Sequence, residues 1–452
     1  TQAVEPGSVT ELGQGWALAP SSGLGETGEA LSKPGYNGPG WHDIGAPGTV
    51  LAGLLAAGVY DDIFFGENLR KLPGSLPPPL DVSASRMPLG SPFRKSWWYR
   101  VEFDAPPLPK NGRLWLHLDG VNYAANVWLN GKRVASSDQI RGTYRVHRLD
   151  VTDSVDVKGK NALAIEVIPP GHRDLVITWV DWNPAPPDRN MGLWRGVRLE
   201  ATGPVNISNL YVDTDLQLPS MEKARLTVAV DAANGSAKRI TGKLKGAIDG
   251  GPLFEKEFTL GPGEARELVV TPDDEPSLVL KDPEVWWPWH YGGQPLYGID
   301  VEFAVDGKTS DRLGGRFGVR EVSGELEEGG AKTIRVNGKR VLIRGAGWAP
   351  DMLFRTDPAR LEAEVRYARD MNLNALRLEG KHEVDGFYGL SDELGILVIS
   401  GWCCCHHGER WKKWDDDDRV VARESQRDQL KRVRNHPSMV LWMNGSDNPP
   451  PE

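Results

Sequence analysis

The stretch VLWMNGSDNPPPE, Val440 to Glu452, sets one acidic side chain, Asp447, directly after an apolar, β-prone run. A carboxyl group on a turn at the end of a strand can serve as a general acid. The prolines Pro449 to Pro451 stiffen that turn and restrict the residue ahead of them. The same placement suits an N-cap or Asx-turn aspartate that only satisfies backbone N–H groups. Asp351, Glu379 and Trp402 stand in the equivalent place after three earlier apolar runs, and each is a candidate substrate contact. Asp351 and Glu379 can bind hydroxyl groups or an amine. Their structural alternatives are a cap for the helix after Pro350 and an ion pair between Glu379 and Arg377.

The elements that must position these groups follow a β-α grammar. RVLIRGAGWAP reads as a buried strand. Asp357-Pro358 is an N-cap with proline at the first helical position, and Leu361, Val365, Ala368 and Met371 follow at helical spacing. NALRLEG is a second strand, DGFYGLSDELG a helix stopped by Gly395, ILVISGW a third strand, VVARESQRDQLKRVRN a third helix and SMVLWMNGSD a fourth strand. Such alternation implies parallel strands with right-handed crossovers. In a (β/α)8 barrel the active site is built at the carboxyl ends of those strands. Only four strands are legible after Val341, whereas a whole barrel takes about 250 residues. Half a barrel leaves two open edges, so the expectation is the front portion of a longer protein, or a barrel completed by another chain.

Upstream the pattern is all-β. Residues 1 to about 95 are rich in Gly, Pro and Ser, with a short helix near Val50 to Ala57. From Trp97, WWYRVEF, GRLWLHLDG, AANVWLNGKRVA and NALAIEVIPP read as short strands separated by turns, and Asn130-Gly131 is a two-residue hairpin signal. A second β block begins near Gly203-Pro204, with strands at the spacing of an immunoglobulin-like sandwich. The expected division is 1–202, a β-sandwich; 203–322, an immunoglobulin-like β-sandwich; and 323–452, the first four βα units of a TIM barrel.

Composition narrows the function classes. The net charge of −9, with no Lys/Arg-rich run, argues against nucleic acid as a partner. No apolar run reaches eighteen residues, so no membrane-spanning helix is expected. TVLAGLLAAGVY has no basic segment ahead of it and is not a signal peptide; a secreted or periplasmic location is expected. The 17 Trp residues outnumber the 10 Phe. Trp faces stack on sugar rings, but most are expected to fill sandwich cores. The three cysteines, Cys403 to Cys405, form one run. Adjacent cysteines on a strand point to opposite faces, which suits neither a disulfide nor zinc; no metal site and no cofactor are expected. WKKWDDDD, Trp411 to Asp418, reads as a solvated charge run opening a helix.

Several stretches together resemble glycoside hydrolase family 2. They are GVNYAANVWLNGKRV, NMGLWRGVRLEATGPVNISNLYV, WWPWHYGGQPLY, FGVREV, VNGKRVLIRGAGW and NHPSMVLWMNGSD. The resemblance covers essentially the whole chain. It implies a sugar-binding-type jelly-roll sandwich, an immunoglobulin-like domain and a TIM barrel. It also implies a retaining hydrolase acting on an oligosaccharide or glycoside. Asp447 would then be general acid and base, and the nucleophile a glutamate later in the barrel, outside this chain. Most members have Asn-Glu where this chain has Ser446-Asp447, which resembles the exo-β-D-glucosaminidase branch, as does NLNALRLEGK. The resemblance puts Ser446 near the sugar 2-position and makes Asp351 and Glu379 sugar contacts. It carries the loop WVDWNPAPPDRNMGLWR over the barrel mouth, with Asp181 and Trp182 lining the subsite. The branch has Gly-Trp-Glu-Cys-Cys where this chain has Gly401-Trp402-Cys403-Cys404-Cys405. A thiol at Cys403 holds a cationic sugar less strongly than a carboxylate. A β-mannosidase acting on β-mannosides or N-glycan cores is therefore the alternative. A non-catalytic carbohydrate-binding protein is the competing class, and Asp447 separates the two.

Overall fold

The computed structural model describes residues 6–448 except 79, 81–84, 176, 250, 331, 356 and 403. The expectations at Cys403, Pro449 to Pro451 and Glu452 therefore lie outside the described residues. The fold is mostly β, with few helices.

The first block packs two antiparallel sheets face to face. One runs His42–Gly45, Trp16–Pro20, Trp97–Asp104, Lys160–Ile168, Ala124–Leu129, Lys132–Ala135; the other runs Ser8–Glu11, Val197–Thr202, Arg113–Leu118, His147–Asp150. Their apolar faces meet in a core that includes Trp16, Tyr99, Leu116, Leu163 and Leu199. Asn130 and Gly131 both have positive φ, at 50° and 82°, as the hairpin between Ala124–Leu129 and Lys132–Ala135 requires. The helix Val50–Ala56 forms as expected, capped by the Thr49 side chain. The segment before Trp97 contributes more than that helix. Its strands Ser8–Glu11, Trp16–Pro20 and His42–Gly45 are short and glycine-flanked, and their ladder partners lie well outside each strand's own neighbourhood.

The second block, from Val205, is again two antiparallel sheets. Val205–Leu216, Lys223–Asn234 and Ala265–Val270, with Val279–Lys281, face Leu253–Leu260, Ile240–Ile248, Tyr297–Val305 and Lys308–Phe317. Leu226, Val228, Leu244, Phe303 and Phe317 lie in the core between them.

A three-stranded antiparallel sheet, Val322–Leu326, Lys332–Val336 and Lys339–Val341, then intervenes. Val341 closes it, so RVLIRGAGWAP is not one buried strand. Leu342 is 72% exposed, and Gly345–Gly347 is an exposed edge strand. It opens a four-stranded parallel sheet in the order Gly345–Gly347, Ala375–Arg377, Leu397–Gly401, Met439–Met443. The connecting helices are Pro358–Asp370, Asp385–Leu394 and Asp416–Val433. Asp357 caps the first by accepting from Ala359 and Arg360 N–H. Gly395, at φ 67°, ends the second. Asp415 and Asp418 form a reciprocal capping box on the third, so the acidic run does open a helix. Val365, Leu376, Phe387, Val398 and Val433 fill the space between sheet and helices. Met371 instead stays 65% exposed beyond the end of its helix.

Both sandwiches are fastened to this βα unit. Arg145 Nε donates to Asp428 at 2.7 Å and Gln429 Nε2 to the Tyr144 carbonyl at 2.7 Å. From the second sandwich, Arg320 donates to the carbonyls of Pro437 (2.6 Å) and Met439 (2.8 Å). Most of the buried Trp residues serve packing, among them Trp16, Trp97, Trp98, Trp194 and Trp286.

One glycine fixes how closely the last two strands meet. A Cβ on Gly401 would stand 2.0 Å from the Met443 carbonyl oxygen and 2.6 Å from its nitrogen. Gly401→Ala must therefore push these strand ends apart, at a cost of about 1–3 kcal/mol. The expected readout is a lower urea midpoint by Trp fluorescence; an unchanged midpoint would contradict this close approach.

Candidate active site

The carboxyl ends of the four parallel strands are laced together. Trp348 N–H donates to the Arg377 carbonyl at 2.8 Å, Leu378 N–H to Ile399 at 2.9 Å and Trp402 N–H to Met443 at 2.7 Å. Side chains that leave these ends are thus held in a fixed relation.

Asp447 follows Met439–Met443 on an exposed turn. Its Oδ1 accepts from Ser446 Oγ at 3.2 Å, and that hydroxyl in turn accepts from Arg377 Nη2 at 2.7 Å. Arg377 Nη1 reaches Glu379 Oε1 at 3.4 Å, the ion pair foreseen as one reading of Glu379. Glu379, Ser446 and Asp447 therefore belong to one network, although they leave different strands. Lys381, wholly buried, donates to Cys404 Sγ at 2.8 Å and lies 3.4 Å from the Glu379 carbonyl.

Beneath the turn lies a carboxylate that local sequence patterns did not single out. Glu409 is 5% exposed. Its Oε1 accepts from Ser446 N–H (2.7 Å) and Asp447 N–H (2.8 Å), and its Oε2 from Cys405 N–H (2.9 Å). Burial pushes its pKa up, but these N–H groups, with that of Asn448, outweigh it and hold the carboxyl below the usual range. Nothing in HHGER marks this role, because its partners lie four residues before it and 37 and 38 residues after it.

The cysteine run needs correcting. Cys404 and Cys405 are joined by a disulfide. The strand ends at Gly401, and Cys405 has φ 76°, so the two residues do not alternate across a sheet as strand neighbours would. Asp181 brings a carboxylate oxygen within 4.8 Å of both sulfur atoms. Sulfurs bonded to each other are not thiolates, so the trio lacks the donor set of a metal site. Ile177, Trp179 and Ala185 pack on Cys404 and Cys405, which brings the loop of the first sandwich against the strand ends. On that loop Trp182 is 58% exposed.

Trp402 also needs correcting. It is 2% exposed, donates Nε1–H to the Gly408 carbonyl at 3.0 Å and packs with Tyr144, Trp194 and Phe354. Its indole fills the seam between sandwich and βα unit, which leaves no free face for a sugar. Asp351 stands apart from the Asp447 network. It accepts from Leu353 and Arg355 N–H and is gripped by Arg355 Nη2 at 2.9 Å. Burial raises its pKa, but these contacts outweigh it and hold the carboxyl below its ordinary value. Burial, with Arg432 and Arg195, pushes the His382 pKa well below its ordinary value.

One hollow lies beside the Glu409 segment and another lies away from Asp447. A cleft of about 600 Å³ is lined by His172, Asp174, His407 and Arg410, next to the Glu409 segment. A cavity of about 950 Å³ lies where both sandwiches meet the βα unit, lined by Arg195, Glu200, Asp385 and Arg432, and Asp447 does not border it. No helix among the described residues is long and apolar enough to cross a membrane.

The disulfide gives a direct check. Alkylation in denaturant without reductant should leave Cys404 and Cys405 unlabelled by peptide mass spectrometry, and prior reduction should expose both. Labelling of either without reduction would remove the disulfide.

Comparison with known proteins agrees with this architecture. Residues 90–177 match the family model "Glycosyl hydrolase 2 galactose-binding domain-like", and residues 205–320 match "Glycosyl hydrolases family 2". The chain is 38% identical to an exo-β-D-glucosaminidase of Streptomyces avermitilis, over 98% of this chain and 48% of that protein. It is 30% identical to a mannosylglycoprotein endo-β-mannosidase of Lilium longiflorum, over 98% of this chain and 48% of that protein. The crystal structure of the exo-chitosanase CsxA of Amycolatopsis orientalis superposes with a TM-score of 0.86 at 33% identity, covering 98% of this chain and 49% of that one. The chain thus spans about half the length of the curated relatives it matches.

Proposed function

Since the chain belongs to glycoside hydrolase family 2 through these domains, we propose that it is part of a retaining, exo-acting β-glycoside hydrolase, an exo-β-D-glucosaminidase that removes glucosamine from chitosan oligosaccharides. The observation that carries the reading is Asp447. It is an exposed carboxyl on a turn pinned by Glu409, at the end of the fourth parallel strand and joined through Ser446 to Arg377 and Glu379.

In this reading residues 1–202 are a sugar-binding-type sandwich, 203–322 an immunoglobulin-like sandwich and 323–452 the first four βα units of a (β/α)8 barrel. The four-stranded parallel sheet with its crossover helices supports the last assignment. The remaining βα units and the nucleophile come from further chain or from a partner. A secreted or periplasmic location fits a polymeric sugar substrate.

The chemistry uses two carboxyl groups about 5–5.5 Å apart. The nucleophile attacks the anomeric carbon while Asp447 gives its proton to the departing glycosidic oxygen. Asp447, now ionised, takes a proton from water, which attacks the glycosyl-enzyme and regenerates both groups with retained configuration. Ser446 orients the Asp447 carboxyl through its hydroxyl and stands near the sugar 2-position. Glu379, Asp181 and Trp182 contact the sugar or its neighbour, and Asp351 acts in concert with Arg355.

A β-mannosidase is the second reading. The Lilium relative and the thiol at Cys403, in place of a carboxylate, favour it.

Asp447→Ala in the full-length enzyme is expected to lose about 10²–10⁴-fold on natural glycosides, with substrates bearing good leaving groups largely spared. Full activity on natural glycosides would remove the acid/base role. Side-by-side hydrolysis of β-glucosaminide and β-mannoside, following the anomer released, should favour the glucosaminide with retention; a preference for the mannoside selects the second reading. Cys403→Glu should raise the glucosaminide/mannoside ratio, and an unchanged ratio would take Cys403 out of the specificity argument.

A further inference from the structure

We infer that Glu409 is the positioning residue of the acid/base turn, holding the Asp447 carboxyl in line with the glycosidic oxygen. This rests on the reading of Asp447 as general acid and base. A turn leaving a strand end has unpaired N–H groups and an ill-defined direction unless something satisfies them. Here one side chain does. Glu409 accepts the consecutive N–H groups of Ser446 and Asp447 on one oxygen and the N–H of Cys405 on the other.

The segment that bears Glu409 is itself fixed. Trp402 Nε1 donates to the Gly408 carbonyl at 3.0 Å and Trp414 Nε1 to the His407 carbonyl at 2.7 Å. Cys405 N–H, the third donor, belongs to the Cys404–Cys405 disulfide, and Cys404 Sγ accepts from buried Lys381. Tryptophan seam, Glu409 and Asp447 backbone thus form one mechanical chain. Among the described residues the Asp447 side chain is anchored by Ser446 Oγ at 3.2 Å, so its aim depends on the backbone that Glu409 holds. The charged form matters, because a carboxylate presents only acceptors to these backbone donors. Glutamine at this place must turn one N–H2 group toward an N–H, which breaks at least one of these bonds while keeping size and shape.

The test separates positioning from fold. In the full-length enzyme, Glu409→Gln is expected to lower kcat/KM for unactivated chitosan oligosaccharides by about tenfold or more, since their leaving group needs the acid. For a 2,4-dinitrophenyl β-glucosaminide, which departs without protonation, kcat/KM should stay within about threefold. Azide, which attacks the glycosyl-enzyme without a base, should raise kcat on that activated substrate. Glu409→Asp, with the charge kept and the reach shortened, should fall between. Equal losses on both substrates, or no loss on either, overturn the inference. Asp447→Ala assayed alongside keeps the two ideas apart: an inactive Asp447→Ala with a fully active Glu409→Gln sinks only the positioning role, whereas a fully active Asp447→Ala sinks the acid/base reading. Should Glu409→Gln fail to fold, amide hydrogen exchange of the unmutated enzyme decides. Ser446 and Asp447 should exchange at least about tenfold more slowly than an unstructured peptide, and unprotected exchange overturns the inference.

Discussion

A seam of buried aromatic side chains joins the first sandwich to the ends of the parallel strands, and the site hangs from it. Tyr144 and Trp194 come from the sandwich, while Phe354, Trp402, Trp411 and Trp414 come from the βα region. Tyr144 meets Trp194 edge-on at 5.7 Å, Trp194 lies 4.9 Å from Phe354, and Trp402 lies 6.1 Å from Trp414. Such rings bury large apolar areas, and each indole N–H still needs a partner. At Trp402 and Trp414 the partner is a carbonyl of the segment that carries Glu409. Core packing is therefore converted, through two hydrogen bonds, into the fixed position of a buried carboxylate.

From that carboxylate the constraint passes to Ser446 and Asp447. A buried charge is tolerated only when it is paired or fully hydrogen-bonded. Backbone N–H groups, among them those of Ser446, Asp447 and Cys405, satisfy Glu409, and the same bonds tell the turn where to go. Asp447 can remain exposed to a substrate because its backbone, not its side chain, carries the order. Around this centre, ion pairs tie the blocks together: Arg145 with Asp428 at 2.7 Å, and Asp385 between Arg195 at 2.7 Å and Arg432 at 2.6 Å. Screening by water keeps such pairs weak individually.

Much was legible from short range. The Asn130-Gly131 hairpin, the Asp357 cap, the Gly395 stop, the acidic capping box and the alternation of strand and helix all depend on residues within a few positions of each other. So does the placing of Asp447 at a strand end. The motifs resembling glycoside hydrolase family 2 were legible too, because they are continuous stretches, and the family models agree for those that fall within residues 90–177 and 205–320.

What only the tertiary structure decided mostly involves partners far apart in the chain. The strands Ser8–Glu11 and Trp16–Pro20 exist through pairing with Val197–Thr202 and Trp97–Asp104. Trp402 looks like a sugar platform by position, yet it is a seam residue once Tyr144 and Phe354 meet it. The Cys404–Cys405 bond depends on a backbone turn with φ 76° that residue types alone do not announce. Glu409 acts on an amide 38 residues away. A sequence shows the periodicity of its own neighbourhood; which buried donor meets which buried acceptor is settled only when distant segments share one core.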